Sequence, residues 1–252
     1  MHSAVASTKD FWNPASYISD IVSNDYRTAD VFKKFGINYC CSGKVSILEA
    51  CKAKAIEYAI VDEELRNATR DIYVSNATRF SEWKVDFLID YIINIHHAYL
   101  YQALPSLELR LISFIEGHKK KYPELVQIAE VVAGLSKFLL YHNRHEEEII
   151  FPYIKQIDAA YRRKESYGNL FVRTLRKPLS NIEKEHDVIN DDLQRLKSYT
   201  NDYVPPAKAC TNHQVLYHKL EEFHNDLVQH KHLEKNILFI KAIEIEQQLL
   251  QL

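Results

Sequence analysis

Apolar residues recur three and four positions apart along most of the chain and rarely alternate one-for-one with polar ones. That is the period of helices that bury one face, not of strands. Early in the chain the stripe runs Tyr17, Ile18, Ile21, Val22 and then Val31, Phe32, Phe35, with Gly36 as a C-terminal stop. The loop INYCCSGK, residues 37–44, follows. Ser46 with Glu49 three residues later is a capping-box pattern, which predicts a helix over 47–58. Another helix is predicted over 61–72.

The polar, irregular stretch SNATRFSEW, residues 75–83, marks a boundary between a domain over 1–78 and one over 79–252. Beyond it the pattern predicts long helices over 84–103, 105–119, 123–150, 170–200 and 209–249. Pro105 and Pro123 suit first turns, Pro152 should kink or end the third segment, and Pro205–Pro206 should separate the last two. The expected fold class is therefore all-α: a small helical domain, then a helical bundle.

Composition narrows the options. Glycine (5) and proline (7) are scarce, as uninterrupted helices require. A formal net charge of −2 leaves no electrostatic footprint for nucleic acid. No run of uncharged apolar residues reaches the roughly 18–20 that span a bilayer, and the opening MHSAVASTKDFWNP lacks the apolar segment of a signal peptide. The four cysteines (Cys40, Cys41, Cys51 and Cys210) include an adjacent pair, which is not a secreted disulfide framework. The expected setting is the cytoplasm, with neither nucleic acid nor membrane as partner.

The twelve histidines acquire meaning from their phase. Each long segment carries one on its apolar stripe: Val85, Ile89, Ile93, then His97; Leu107, Leu111, Phe114, then His118; Val131, Leu135, Phe138, then His142 and Glu146; Leu179, Ile182, then His186; Leu220, Phe223, Leu227, then His230 and Glu234. Residues four apart share a face, so two of these helices present an imidazole beside a carboxylate. A single histidine on such a stripe is ordinarily a hydrogen-bonded core residue, and one H-x-x-x-E is expected by chance. His218 with Glu222 is a third match, lies off its stripe, and reads as a surface pair. Five imidazoles and two carboxylates in one apolar core are different, because each unpartnered buried polar group costs about 1–3 kcal/mol and a charge costs more. A pair of transition-metal ions removes that cost, and mixed imidazole and carboxylate ligation suits iron. The stripe 138, 142, 145, 149 leaves His142 and His145 in competition. His96 should point about 100° away from His97, and His213, His224 and His232 read as surface or rim residues.

The chain also resembles the iron–sulfur cluster repair di-iron family, the Repair of Iron Centers proteins, which join an ScdA-type N-terminal domain to a hemerythrin-like four-helix bundle. The resemblance rests on VFKKFGINYCCSGK (31–44), IDYIINIHH (89–97), HNRHEEEIIFP (142–152), IEKEHD (182–187), PPAKACTNH (205–213) and DLVQHKHLEKNILF (226–239). Anchoring on Phe151–Pro152 selects His142 and Glu146 over His145. His118 follows from its spacing to His97. The chain departs at Ser42, where the family has glycine, and at Ala98, Tyr99 and Leu100, where the family carries charge. The resemblance implies a non-haem pair of iron ions, oxo- or hydroxo-bridged, held by His97, His118, His142, Glu146, His186, His230 and Glu234. It implies repair of iron–sulfur clusters damaged by nitrosative or oxidative stress, by iron donation, by nitric oxide handling, or both. Nitric oxide reductase activity is one form of that handling; whether the protein is an enzyme stays open. Damaged iron–sulfur proteins would be clients, nitric oxide and dioxygen small ligands, and a homodimer an assembly the sequence itself does not show. Cys40 and Cys41 read either as a pair for redox exchange, transient iron binding or client contact, or as a buried closure of the small domain. Three other classes compete: an oxygen- or nitric oxide-binding hemerythrin without turnover, a ferritin-like oxidase using Glu183 with His186 and Glu221 with His224, and a structural bundle with incidental histidines.

Overall fold

The computed structural model describes residues 11–39, 44–71, 78–165, 167–175 and 179–251. Cys40 and Cys41 lie outside the described residues. Among the described residues the chain is helical, without a strand; Tyr17 and Ser46 share one isolated bridge. The chain divides into two compact units, residues 1–76 with 204–219, and 77–203 with 220–252.

The first unit holds α1 (Ile18–Asn24), α2 (Thr28–Lys34), α3 (Ile47–Ala53) and α4 (Tyr58–Thr69). Ser46 caps α3 as expected: its hydroxyl accepts from the Glu49 amide, and the Glu49 carboxylate accepts from the Ser46 amide at 2.9 Å. Gly36 follows α2 at φ +64°, a conformation that favours glycine and stops the helix. Ile18, Ile21, Phe32, Ile47, Val61 and Leu65 close the core. Val215 packs into the same core, which is why residues 204–219 group here and not with the C-terminal segment to which the sequence boundary assigns them.

The second unit is a bundle. Its first long helix comprises α5 (Val85–Tyr91), a π-helical turn at Ile92–His97 and α6 (Ala98–His118). The second comprises α7 (Glu124–His145), a π-turn at Glu146–Ile150 and α8 (Phe151–Arg163). The short α9 (Gly168–Leu175) precedes the third, α10 (Leu179–Tyr199). The fourth comprises α11 (Thr211–Leu233) from Leu220 onward, a π-turn at Glu234–Leu238 and α12 (Phe239–Gln251). α7 packs against α6 and α10, and α8 against α5 and α12. At Gly168 a Cβ would meet Leu249 at 2.7 Å, so glycine permits the close approach of α9 to α12.

Two sequence expectations need correction. The segments 84–103 and 105–119 are one helix, because α6 continues through Pro105. An interior proline costs roughly 3 kcal/mol, but Leu100, Leu104, Leu107, Leu111 and Phe114 are all buried along α6, and each is worth roughly 1.5–3 kcal/mol. Burial wins. Nor does Pro152 end the second helix, which runs on to Arg163; the register already changes in the π-turn just before it. The resulting stretch Glu124–Arg163 is long and apolar enough to cross a membrane by length and composition, a test that a core helix also passes. Its apolar residues Leu125, Ile128, Val131, Leu135, Ile154 and Ile157 are buried in the bundle.

Candidate metal centre

Six polar side chains meet inside the bundle. His97, Glu146, His186 and Glu234 are fully buried, and His142 and His230 are 1% exposed. Apolar layers close the site at both ends. Ile89, Ile92, Phe151, Ile182, Leu233 and Leu238 lie on one side. Leu100, Leu104, Leu139, Ile189 and Leu227 lie further along the same helices on the other.

Three of the four helices change geometry at this level. His97 ends one π-turn, and Glu146 and Glu234 each begin another. Such turns insert one residue into a helix and concentrate at functional sites. Here they also change which residues face inward. In the first helix both His96 and His97 are buried, although an α-helix would turn one of them away. His142 faces the core, while His145 is only half-buried, which settles the phase left open by the apolar stripe.

The six residues form two groups that share both glutamates: His97, His230, Glu146 and Glu234, and His142, His186, Glu146 and Glu234. Within each group one candidate ligand atom per residue lies within 4.8 Å of every other. Glu146 turns Oε2 toward His97 Nε2 at 3.5 Å and Oε1 toward His142 Nε2 at 3.4 Å. Glu234 turns Oε1 toward His230 Nε2 at 2.8 Å and Oε2 toward His186 Nε2 at 3.3 Å. His97 Nε2 and His230 Nε2 are 3.0 Å apart. Each carboxylate thus offers one oxygen to each histidine pair.

The protein alone leaves this cluster badly satisfied. Both Glu146 oxygens, Glu234 Oε2, His142 Nε2 and both His186 nitrogens are buried without a hydrogen-bond partner among the described residues. Electrostatics agree. Burial raises the Glu146 carboxyl, and the neighbouring Glu234 charge raises it further. Burial opposes charge on Glu234 as well, but His230, His186 and His97 hold its carboxyl well below the usual range. Burial pushes His230 down to about 4. His97 goes the other way: burial disfavours its cation, but Glu146, Glu147 and Glu234 lift it to about 11. A pair of cations would accept the imidazole lone pairs and neutralise both carboxylates. The donor set fits that group.

Outer contacts orient one histidine in each pair. His97 Nδ1 lies 2.7 Å from Glu147 Oε1, which also accepts from Tyr101 Oη at 3.0 Å. His142 Nδ1 lies 2.5 Å from Glu185 Oε2. Carboxylates on the far nitrogen fix the ring and raise its basicity as a ligand. His96 bonds Asp226 at 2.9 Å, and its ring stacks on that of His230 at 5.6 Å. The apolar stripes give no sign of Glu147, Glu185, Tyr101 or Asp226, although Glu147 and Glu185 directly adjoin Glu146 and His186 in sequence.

His118 is not brought to the cluster. It closes α6, the 21-residue helix that begins just after His97, so roughly 30 Å of helix rise separates the two. Its ring stacks on Phe114 and its Nδ1 meets the Phe114 carbonyl at 3.0 Å. The error followed from splitting one helix at Pro105, which made His118 look like the contribution of a fifth helix. His213, expected at the surface or rim, is fully buried. His224 contacts Tyr203 Oη at 3.0 Å and is half-buried. Cys51 is buried and Cys210 half-buried, and neither forms a disulfide among the described residues.

A helical bundle closing on four histidines and two shared glutamates defines a hemerythrin-type cation-binding domain. The hemerythrin HHE cation binding domain matches residues 88–242, and ScdA_N, a domain of unknown function, matches residues 15–69. The probable iron–sulfur cluster repair protein of Haemophilus influenzae is 30% identical over 217 residues, covering 84% of this chain and 90% of the relative. The iron–sulfur cluster repair protein YtfE of Escherichia coli O157:H7 is 29% identical over 220 residues, covering 86% and 91%. YtfE of Enterobacter sp. strain 638 is 28% identical over 229 residues, covering 90% and 96%. The chain belongs to the iron–sulfur cluster repair family that combines an ScdA-type N-terminal domain with a hemerythrin domain.

Proposed function

We propose that this protein holds two iron ions between its histidine pairs and repairs iron–sulfur clusters damaged by nitrosative or oxidative stress, acting in the cytoplasm on damaged iron–sulfur proteins. The observation that carries the reading is the pair of shared glutamates, each with its two oxygens turned toward different histidine pairs. His97 and His230 would hold one ion and His142 and His186 the other, with Glu146 and Glu234 bridging. When bound, iron supplies a redox-active centre with affinity for nitric oxide and dioxygen, and a store that can be passed to a damaged cluster. The chain's own part is to hold the ions with neutral imidazoles and carboxylates, to keep His97 and His142 oriented through Glu147 and Glu185, and to exclude bulk water with the apolar layers at either end. Partly exposed Glu147 and Glu185 are the groups through which the buried histidines communicate with solvent.

The test is reactivation. A four-iron cluster enzyme inactivated with nitric oxide should regain activity when the iron-loaded protein is added, and the added protein should lose iron in step. Reactivation without loss of iron from the protein would favour nitric oxide removal over donation. No reactivation, together with reversible dioxygen spectra, would sink the repair reading in favour of a carrier.

A further inference from the structure

Asn143 stands apart from the buried polar residues of the bundle that lie outside the six-residue cluster. It is 1% exposed, and neither its Nδ2 nor its Oδ1 has a partner among the described residues. It directly follows His142 and lies just before the π-turn that begins at Glu146. The residues preceding it on that side of α7, Val132, Ser136 and Leu139, are buried and mostly apolar. A buried amide left unsatisfied costs about 1–3 kcal/mol, which leucine in its place would avoid.

The six clustered residues lack what Asn143 offers. An imidazole nitrogen that binds a cation cannot donate, and a carboxylate only accepts. A site built from four histidines and two glutamates therefore presents no donor to a ligand entering beside the ions. The Asn143 amide carries two N–H groups about one helical turn along the chain from the shared Glu146. We propose that Asn143 is the hydrogen-bond donor to a small ligand held at the metal pair, selecting anions and diatomics whose outer atom carries negative charge. This deepens the reading of the cluster as a di-iron centre and rests on it.

Azide is the probe, titrated into the oxidised iron-loaded protein and followed by its visible charge-transfer band and by the infrared azide stretch. Asn143→Leu should keep two irons per chain, weaken azide by about threefold to tenfold, as loss of one hydrogen bond does, and shift the stretch. Asn143→Ala, which removes the donor without adding bulk, should do the same and guards against a leucine variant that fails to load. Unchanged azide affinity and an unchanged stretch in both variants would overturn the proposal and mark the amide as bound to a structural water only. Weakening by leucine but not by alanine would overturn it too, because the effect would then be steric. Wild-type protein that carries two irons but takes no azide overturns the ligand role and leaves the centre standing. Wild-type protein that carries no iron overturns both.

Discussion

Replacing Glu146 with leucine should move the stability of the protein in opposite directions with and without metal. In the chelated protein Glu146 is a fully buried carboxyl whose two oxygens lack hydrogen bonds, and the Glu234 charge beside it makes ionisation harder still. Leucine removes both orphaned oxygens and that repulsion while filling similar space; it also removes one attraction to His97, which Glu147 and Glu234 continue to supply. Relief of one unsatisfied buried group is worth about 1–3 kcal/mol, and a protein of this size shifts its Tm by roughly 2–4 °C per kcal/mol. The chelated Glu146→Leu protein should therefore melt a few degrees above chelated wild type. The iron-loaded form should reverse the order, since leucine cannot ligate and the linkage stabilisation is lost; that term is about 2.7 kcal/mol at a free-ion concentration one hundred times the Kd. Circular dichroism melts with and without chelator, alongside iron analysis, measure both halves. If chelated Glu146→Leu were less stable than chelated wild type by 1 kcal/mol or more, the six residues would form a self-satisfied polar network, and the argument that they require cations would fail.

Other consequences follow from the same geometry. Iron content should stay at two per chain in His118→Ala and fall in His186→Ala, because His118 sits at the far end of α6; iron assay of the purified variants decides this. Ser46→Ala removes the cap of α3 and should cost about 1 kcal/mol in denaturant unfolding. Ile154→Ala, at a fully buried position in the bundle core, should cost about 2–5 kcal/mol in the same assay. In the first unit, burial disfavours charge on Asp62, but Arg66, Trp12 and Tyr58 donate to its carboxylate and hold it below the ordinary value of 3.8. A folded pKa below the unfolded one means a contribution present in full above about pH 4 and lost as pH falls through the folded value. The stability advantage of wild type over Asp62→Asn should thus be constant near neutral pH and shrink as pH falls below about 4, and a gap that stayed constant into that range would contradict the assignment.

What the sequence could and could not reveal divides along the helix axis. Phase around each helix was readable, since apolar spacing alone places His97, His186, His230 and Glu234 inward, and all four are buried. Height along each helix was not. His118 has the right phase and the wrong height, because Pro105 looked like a helix start when five buried side chains carry α6 straight through it. The π-turns were also invisible, as a one-residue insertion leaves no mark in a pattern of threes and fours; that is why His96 was read as facing away although it packs on His230. The competition between His142 and His145 needed a family motif to resolve. Glu147 and Glu185 adjoin Glu146 and His186 in sequence, but contacts to His97 and His142 from other helices exist only in three dimensions. The grouping of residues 204–219 with the first unit depends on the packing of Val215, which no linker composition encodes.

Iron anomalous scattering from crystals of the protein grown in iron-replete cells tests the central claim most directly. The account predicts two separate iron peaks per chain, one between His97 and His230 and one between His142 and His186, with Glu146 and Glu234 touching both. A single peak, a peak that leaves one of these glutamates unbound, or a folded bundle with no iron in it would contradict the account.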